Sequence, residues 1–310
     1  MNQVPYMFCE DVFSHVFETT DTKFLHQLSG IWGKVAERFQ ENFMRLSVDI
    51  TVSESGNEDF CEIRALTKLG GFSELSLEDL LARTNPKFCS VAGLDVIGDD
   101  HIGDEKRISR RTLTERLIPV LCRLTRPRTH LFVSDCPHLP GEIVQNLFEE
   151  SRFGCLYLDW TPQLKDPMTY LLENIAVKEL KLKTEFWPKE ILDLAVERCC
   201  HGGIEELQID YAHNSAVPII VESVKKTGGK WKFCISAKVE IDGEEILKSF
   251  EDFKLLDSCV NTFPNGGVPL LQKKFAYELP YSENKLLVDT FKCGTYEKTF
   301  FRVIEKNEPW

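Results

Sequence analysis

Between about residues 129 and 236, short apolar runs and amphipathic runs follow one another in a fixed order. A strand-like core recurs as Leu131-Phe132-Val133, Leu156-Tyr157-Leu158, Leu180-Lys181-Leu182, Leu207-Gln208-Ile209 and Phe233-Cys234-Ile235. The first residues of these cores step by 25, 24, 27 and 26. Between them, apolar residues fall at helical spacing, centred on Ile143-Val144-Leu147-Phe148, Met168-Leu171-Leu172, Ile191-Leu194-Ala195 and Ile219-Ile220-Val224. Pro140, Pro167, Pro188 and Pro218 stand near the helix starts, where a missing N–H costs nothing, and Gly202-Gly203 and Gly228-Gly229 stand where helices are capped. A unit of this size cannot bury its own apolar face, so neighbours must stack. The pattern predicts parallel neighbouring strands with their helices on one side. The fold class is α/β: an irregular leucine-rich-repeat-like strand–helix solenoid, with a different organisation at each end.

At the N-terminal end, residues 5–45 read as helical. Phe8, Val12, Phe13, Val16 and Phe17 share one face, and after a polar break a second stripe runs through Phe24, Leu25, Leu28, Ile31, Trp32, Val35 and Phe39. Asp21 or Thr22 is placed to cap the second helix. At Leu46 the period changes to two, and Leu46, Val48, Ile50 and Val52 predict a half-buried strand whose return is Phe60 to Arg64. Ser76 caps a short helix through Leu81, Phe88 to Val96 is a strand, and a helix carries Leu113, Leu117, Val120, Leu121 and Leu124. After about residue 240, Phe275-Ala276-Tyr277, Leu286-Leu287-Val288 and Phe300 to Ile304 predict three strands of an antiparallel cap. The divisions are 1–45, a helical region; 46–127, irregular first units; 128–240, the repeats; and 241–310, a β-rich cap.

Composition narrows the partners. The net charge of −12 argues against nucleic acid and against an anionic membrane surface. Charge is uneven, with Lys106, Arg107, Arg110, Arg111, Arg116, Arg123, Arg126 and Arg128 crowded into one stretch. The 11 cysteines show no CxxC spacing and are read as reduced thiols of a cytoplasmic or nuclear protein. Residues 1–10 lack the basic and apolar regions of a signal peptide, and no apolar run approaches 18 residues. No cofactor or metal is expected: Cys199-Cys200-His201 has no second ligand pair at zinc spacing. No phosphate loop, Gly-x-Ser-x-Gly elbow or His-Glu-x-x-His motif occurs, so a non-catalytic binding protein is expected, with an enzyme of unrecognised type as the alternative.

Val4-Pro5, then Phe8 and Phe13, then Leu28-Ser29-Gly30-Ile31-Trp32, follow the order of an F-box, with Trp32 placed 28 residues after Val4. The N-terminal hairpin resembles that motif, with Val for the usual Leu and Ser for the usual Cys. The whole layout resembles the expanded nematode families of F-box-like proteins, in which such a hairpin precedes irregular leucine-rich-type units and a β-rich tail. The resemblance implies a substrate receptor of a cullin-RING ubiquitin ligase of the SCF type. Its hairpin would sit on a Skp-type adaptor joined to a cullin, and its repeats on a protein target. Val4, Pro5, Phe8, Phe13, Leu28 and Trp32 are then the adaptor-binding candidates. A scaffold or neutralising partner that has lost the adaptor is the alternative.

For the target, Arg107, Arg110 and Arg111 are candidates because guanidinium forks match phosphate and carboxylate. The competing reading of the stretch is a solvated helix face. Trp160, Trp187 and Tyr211 follow successive repeat strands and are candidates as interface anchors, against the alternative that they pad the layer between strands and helices.

Overall fold

Apolar residues two apart put one strand face in the core, and residues three or four apart do the same for a helix. The computed structural model describes residues 5–16, 27–53, 58–66, 71–83, 86–98, 107–150, 152–183, 187–209, 219–220, 222–223, 226, 233–237, 254–261, 270–278, 284–293 and 296–305. The chain forms two compact units, Met1–Thr129 with Glu150–Arg152, and His130–Glu149 with Phe153–Trp310.

The first unit opens with a hairpin of α1 (Tyr6–Val16) and α2 (Gly30–Asn42). Its core holds Cys9, Phe13, Val35, Ala36 and Phe39, together with Phe88. The buried stripe of α1 therefore runs through Cys9 and Phe13, and Phe8, expected on that face, is turned out. The second helix also starts later than its apolar stripe predicts. Leu28 and Ser29 precede it, and Gly30 has φ 64°, a left-handed conformation that a helix running on from Phe24 would not contain. The expected caps Asp21 and Thr22, with Phe24 and Leu25, lie outside the described residues.

The period-two run becomes β1 (Met44–Val52), with Leu46, Val48, Ile50 and Val52 all buried. β2 (Glu58–Leu66) returns antiparallel, Ile50 opposite Cys61 and Val48 opposite Ile63. β3 (Phe72–Glu74) borders β2, and Ser76 caps α3 (Leu77–Arg83), its Oγ accepting the Asp79 N–H at 3.0 Å. β4 (Cys89–Gly98) lies parallel to β1 on the other side. β5 (Arg107–Ser109) pairs with β2 and leads into α4 (Arg110–Thr112), a π turn (Leu113–Leu117) and α5 (Ile118–Leu124), which run on as one helix. The π turn ends just before Pro119, which has no N–H to return to the preceding turn.

The second unit carries the repeat: β6 (Thr129–Ser134), α6 (Gly141–Glu150), β7 (Phe153–Asp159), α7 (Lys165–Asn174), β8 (Val177–Lys183), α8 (Lys189–Cys200), β9 (Ile204–Ile209) and β10 (Phe233–Ala237). Neighbours follow sequence order, and β7/β8, β8/β9 and β9/β10 are parallel, as the period requires. Leu156, Leu180 and Leu207 stand side by side. Beside Leu207 comes Ile235, not Phe233, so the last step is 28 residues rather than 26. A slip of two residues keeps the same faces in and out, so alternation alone does not distinguish the registers. α8 ends on Gly202 at φ 80°, with its N–H bonded to the Cys199 carbonyl and the Gly203 N–H to that of Arg198.

Beyond β10 the direction changes. β14 (Tyr296–Glu305) pairs antiparallel with β10, Phe233 opposite Val303, and β13 (Asn284–Cys293) and β12 (Leu270–Glu278) follow antiparallel. These are the three expected strands, and β11 (Lys254–Asn261) adds a fourth.

Candidate interaction surfaces

The hairpin divides its apolar residues between core and solvent. The Pro5 carbonyl accepts the Phe8 and Cys9 N–H groups and starts α1. Phe13, 3% exposed, lies 6.0 Å from the Trp32 ring and 5.6 Å from that of Phe39. Trp32 is half-buried against this cluster. Tyr6, Met7, Phe8 and Leu28 are exposed, Met7 to 68% and Phe8 to 54%. Val4 lies outside the described residues. Of the residues carried by the resemblance, Pro5, Phe8 and Leu28 are thus at the surface and Phe13 is not. Glu10, buried on the same helix, receives Arg38 at 2.5 Å, and Lys87 reaches Asp11 at 2.7 Å, pinning both helices to the chain just before β4.

The three arginines at the start of the α4–α5 helix are each ion-paired within the chain. Arg107 pairs with Glu58 at 2.8 Å and Arg111 with Glu115 at 2.9 Å, one helical turn on. Arg110 forks onto Asp59, its Nη2 at 2.6 Å from Oδ1 and its Nε on Oδ2. The same Nη2 donates to the Ser53 carbonyl at 3.0 Å, and the Ser53 N–H donates to Asp59 Oδ1 at 3.1 Å. Asp59 is 0% exposed, so this group closes the β1–β2 turn onto the helix start.

In the second unit Trp160 and Trp187 meet, ring centroids 5.1 Å apart. Trp187 is buried, with its indole N–H donating to the Lys183 carbonyl at 2.6 Å, and Trp160 is half-buried. The pair packs strand ends against helix starts. Tyr211 lies outside the described residues.

The larger surface of this unit is the strand face opposite the buried leucines. Leu131, Val133, Leu156, Leu158, Leu180, Leu182, Leu207 and Ile209 are 0–1% exposed. The residues between them, Phe132, Tyr157, Lys181 and Gln208, are half-buried, and Tyr157, Lys181 and Gln208 form one row across β7, β8 and β9. The His130 ring stacks parallel to Tyr157 at 6.0 Å. Lys181 Nζ lies 4.6 Å from the Tyr157 ring centre, and Lys183 Nζ 4.1 Å from that of Phe132. Glu179 accepts the Tyr157 hydroxyl at 3.0 Å and pairs with Lys181 at 2.9 Å. Burial alone would raise the Glu179 pKa, but the bonds from Lys181 and Tyr157 hold its carboxyl below the ordinary value. Burial, then the Glu179 bond, pushes the Tyr157 hydroxyl up. The result is an aromatic and cationic face held in place by its own contacts. Its sequence signal is the middle residue of each three-residue strand core: Phe132, Tyr157, Lys181 and Gln208.

A cleft of about 500 Å³ opens in the first unit, between Cys61–Ile63 of β2, the β3–α3 connection and the residues around Ser109. Burial, with the charges of Asp49 and Glu62, pushes the Cys61 thiol up to about 12, so it stays protonated at neutral pH. Among the described residues, no group of three or more His, Cys, Asp or Glu side chains converges as metal ligands, and no helix is long and apolar enough to cross a membrane. No family model matches the chain, and no match to a curated protein or a solved structure was found.

Proposed function

We propose that this chain is the substrate-recognition subunit of an SCF-type cullin-RING ubiquitin ligase. In this reading the N-terminal hairpin docks a Skp-type adaptor, and the leucine-rich-repeat-like solenoid holds a protein target on its open strand face. The first turn of α1 carries the reading. The hairpin has closed its own core around Phe13 and Phe39, yet Met7 and Phe8 are more than half exposed and Tyr6 is about one-third exposed. Burying such side chains is worth roughly 1.5–3 kcal/mol each, and neighbouring apolar side chains kept in water mark an interaction surface. The row of Tyr157, Lys181 and Gln208 supports the second half, because it offers rigid aromatic and charged groups on a broad face.

The test is a pull-down of the full chain with the Skp-type adaptors of its own source, beside the variant Met7→Glu/Phe8→Asp. The wild type is expected to retain adaptor and cullin. The variant is expected to lose both with its melting temperature unchanged, because the replaced side chains lie mostly in solvent. A wild type that captures no adaptor sinks the ligase reading. It would leave a non-catalytic scaffold or neutralising partner, which the burial of Phe13 favours, since that ring serves the chain's own core.

A further inference from the structure

Among the described residues, the outer edge of β2 is strand-paired only at its two ends. β5 covers residues 58–60 and β3 covers residues 64–66, and the cleft of about 500 Å³ lies at the three residues between, Cys61, Glu62 and Ile63. The Ile63 carbonyl accepts the Leu75 N–H at 2.9 Å, after which the chain turns off the sheet into α3 and forms one wall. The residues around Ser109, at the start of the α4–α5 helix, form the other. Caps fix both walls: Ser76 Oγ accepts the Asp79 N–H at 3.0 Å, and Ser109 Oγ the Thr112 N–H at 3.1 Å. The volume falls within the roughly 300–1,000 Å³ of small-molecule sites.

Apolar and acidic side chains share the lining. Ile63 and Leu117 are buried, and Leu77 and Ile108 are half-buried beside them. Leu117 closes the π turn, a feature that recurs at binding sites. Three carboxylates, Glu62, Glu74 and Glu78, line the cleft against one guanidinium, Arg107, which Glu58 already pairs at 2.8 Å. The Cys61 thiol reports the field in the same wall. Burial does most to keep it protonated and would oppose a charge of either sign. The part due to Asp49 and Glu62 does have a sign, and it favours a cation.

We infer that this cleft binds a small organic cation, its apolar body against Ile63, Ile108 and Leu117 and its ammonium or guanidinium against Glu74 and Glu78. The apolar floor supplies affinity without choosing among ligands. The excess of carboxylates chooses: an anion is repelled, while a cation gains charge-assisted hydrogen bonds. A peptide running along the sheet edge fits less well, because β3 and β5 stand across the edge of β2 in both directions. The site shares no residue with the hairpin or with the repeat face, so it stands whether or not the chain serves a ligase.

The full chain is titrated calorimetrically with 4-phenylbutylamine, and beside it with 4-phenylbutanol and 4-phenylbutanoate, which keep the apolar body and change the charge. The amine is expected to bind about tenfold or more tightly than the alcohol, and the carboxylate most weakly. The gap between amine and alcohol should narrow as salt rises. Glu74→Gln/Glu78→Gln, at two exposed positions, should weaken the amine by about tenfold and leave the alcohol unchanged. Leu77→Trp, which fills the cleft, should weaken both. Glu205→Gln/Glu206→Gln, exposed on β9, removes the same charge elsewhere and should change neither. Equal binding of amine and alcohol, an amine preference that survives the Glu74 and Glu78 changes, or no binding by any of the three overturns the inference. So does a tighter grip on the peptide Ala-Ala-Lys-Ala-Ala than on the amine, which would make the cleft a socket for a protein side chain. Should Leu77→Trp lower the melting temperature, the glutamine pair decides alone, since the alcohol reports on the intact cleft in the same protein.

Discussion

The two units hold themselves together by different means. In the first, an apolar core around Phe39, Leu46 and Ile50 is joined by a buried charged contact between residues distant in sequence: Asp59 and Arg110 are 51 residues apart. In the second, the defining contacts are many, apolar and recurrent, with Leu156, Leu180, Leu207 and Ile235 each repeating the same role one strand further on. An ion pair with a carboxylate at 0% exposure tolerates no partial loss, because either partner left alone is a buried charge. A ladder of leucines divides its stabilisation over many rows, so that each loss is local.

The sharpest way to break this contrast is at Asp59 and Arg110. Arg110→Ala leaves a buried carboxylate uncompensated and should cost about 3–5 kcal/mol by urea denaturation, with amide exchange accelerating first in β1 and β2. Arg110→Lys should recover only part, since an ammonium cannot fork onto both oxygens. Asp59→Leu/Arg110→Met should cost less than Arg110→Ala alone. If the two single losses simply add, the pair is not acting as a unit. Leu180→Ala is the matching experiment in the second unit. A loss of about 2–5 kcal/mol is expected there, with exchange faster in β7, β8 and β9 and unchanged in β1 and β2.

A smaller effect separates the units by pH. Burial pushes Cys61 in the first unit, and Cys136 and Cys200 in the second, from 9.0 up to about 12. The folded thiols keep protons that unfolded ones release, so stability is flat below pH 9 and falls as pH climbs towards 12. The slope approaches about 1.4 kcal/mol per pH unit for each thiol. Amide exchange in the second unit should therefore accelerate more steeply over this range than in the first. Smallest of all is Lys183→Ala, which removes a cation from the Phe132 ring and should cost about 0.5–1 kcal/mol in a thermal melt.

The same contrast governs how much the sequence reveals. The repeats and β1 are legible because their signal is periodic. Leu46, Val48, Ile50 and Val52, and the recurring Leu-x-Leu cores, announce both their secondary structure and their buried face. The Asp59–Arg110 pair has no local signature, since nothing at residue 59 points to residue 110. The arginine stretch was visible as charge, but which members are neutralised and which face solvent depends on that tertiary pairing. Register fails for another reason. Phe233 and Ile235 have equal claims on the row of Leu207, and a choice between them needs the strand opposite. β11, with its apolar residues in the adjacent pairs Leu255-Leu256 and Cys259-Val260, carries no alternation to declare itself.

β10 pairs parallel on one side with β9, which precedes it by one repeat, and antiparallel on the other with β14, where Phe233 meets Val303 across 70 residues of chain. During synthesis, the strands β6 to β10 emerge in pairing order, but the outer edge of β10 waits for β14 to be made. At ~5–20 residues per second that wait is on the order of 4–14 seconds, with a row of unpaired backbone groups on offer to any neighbouring chain. A message truncated shortly before residue 296 would make that interval permanent, and its product would be a candidate for edge-to-edge aggregation while retaining every strand of the repeat.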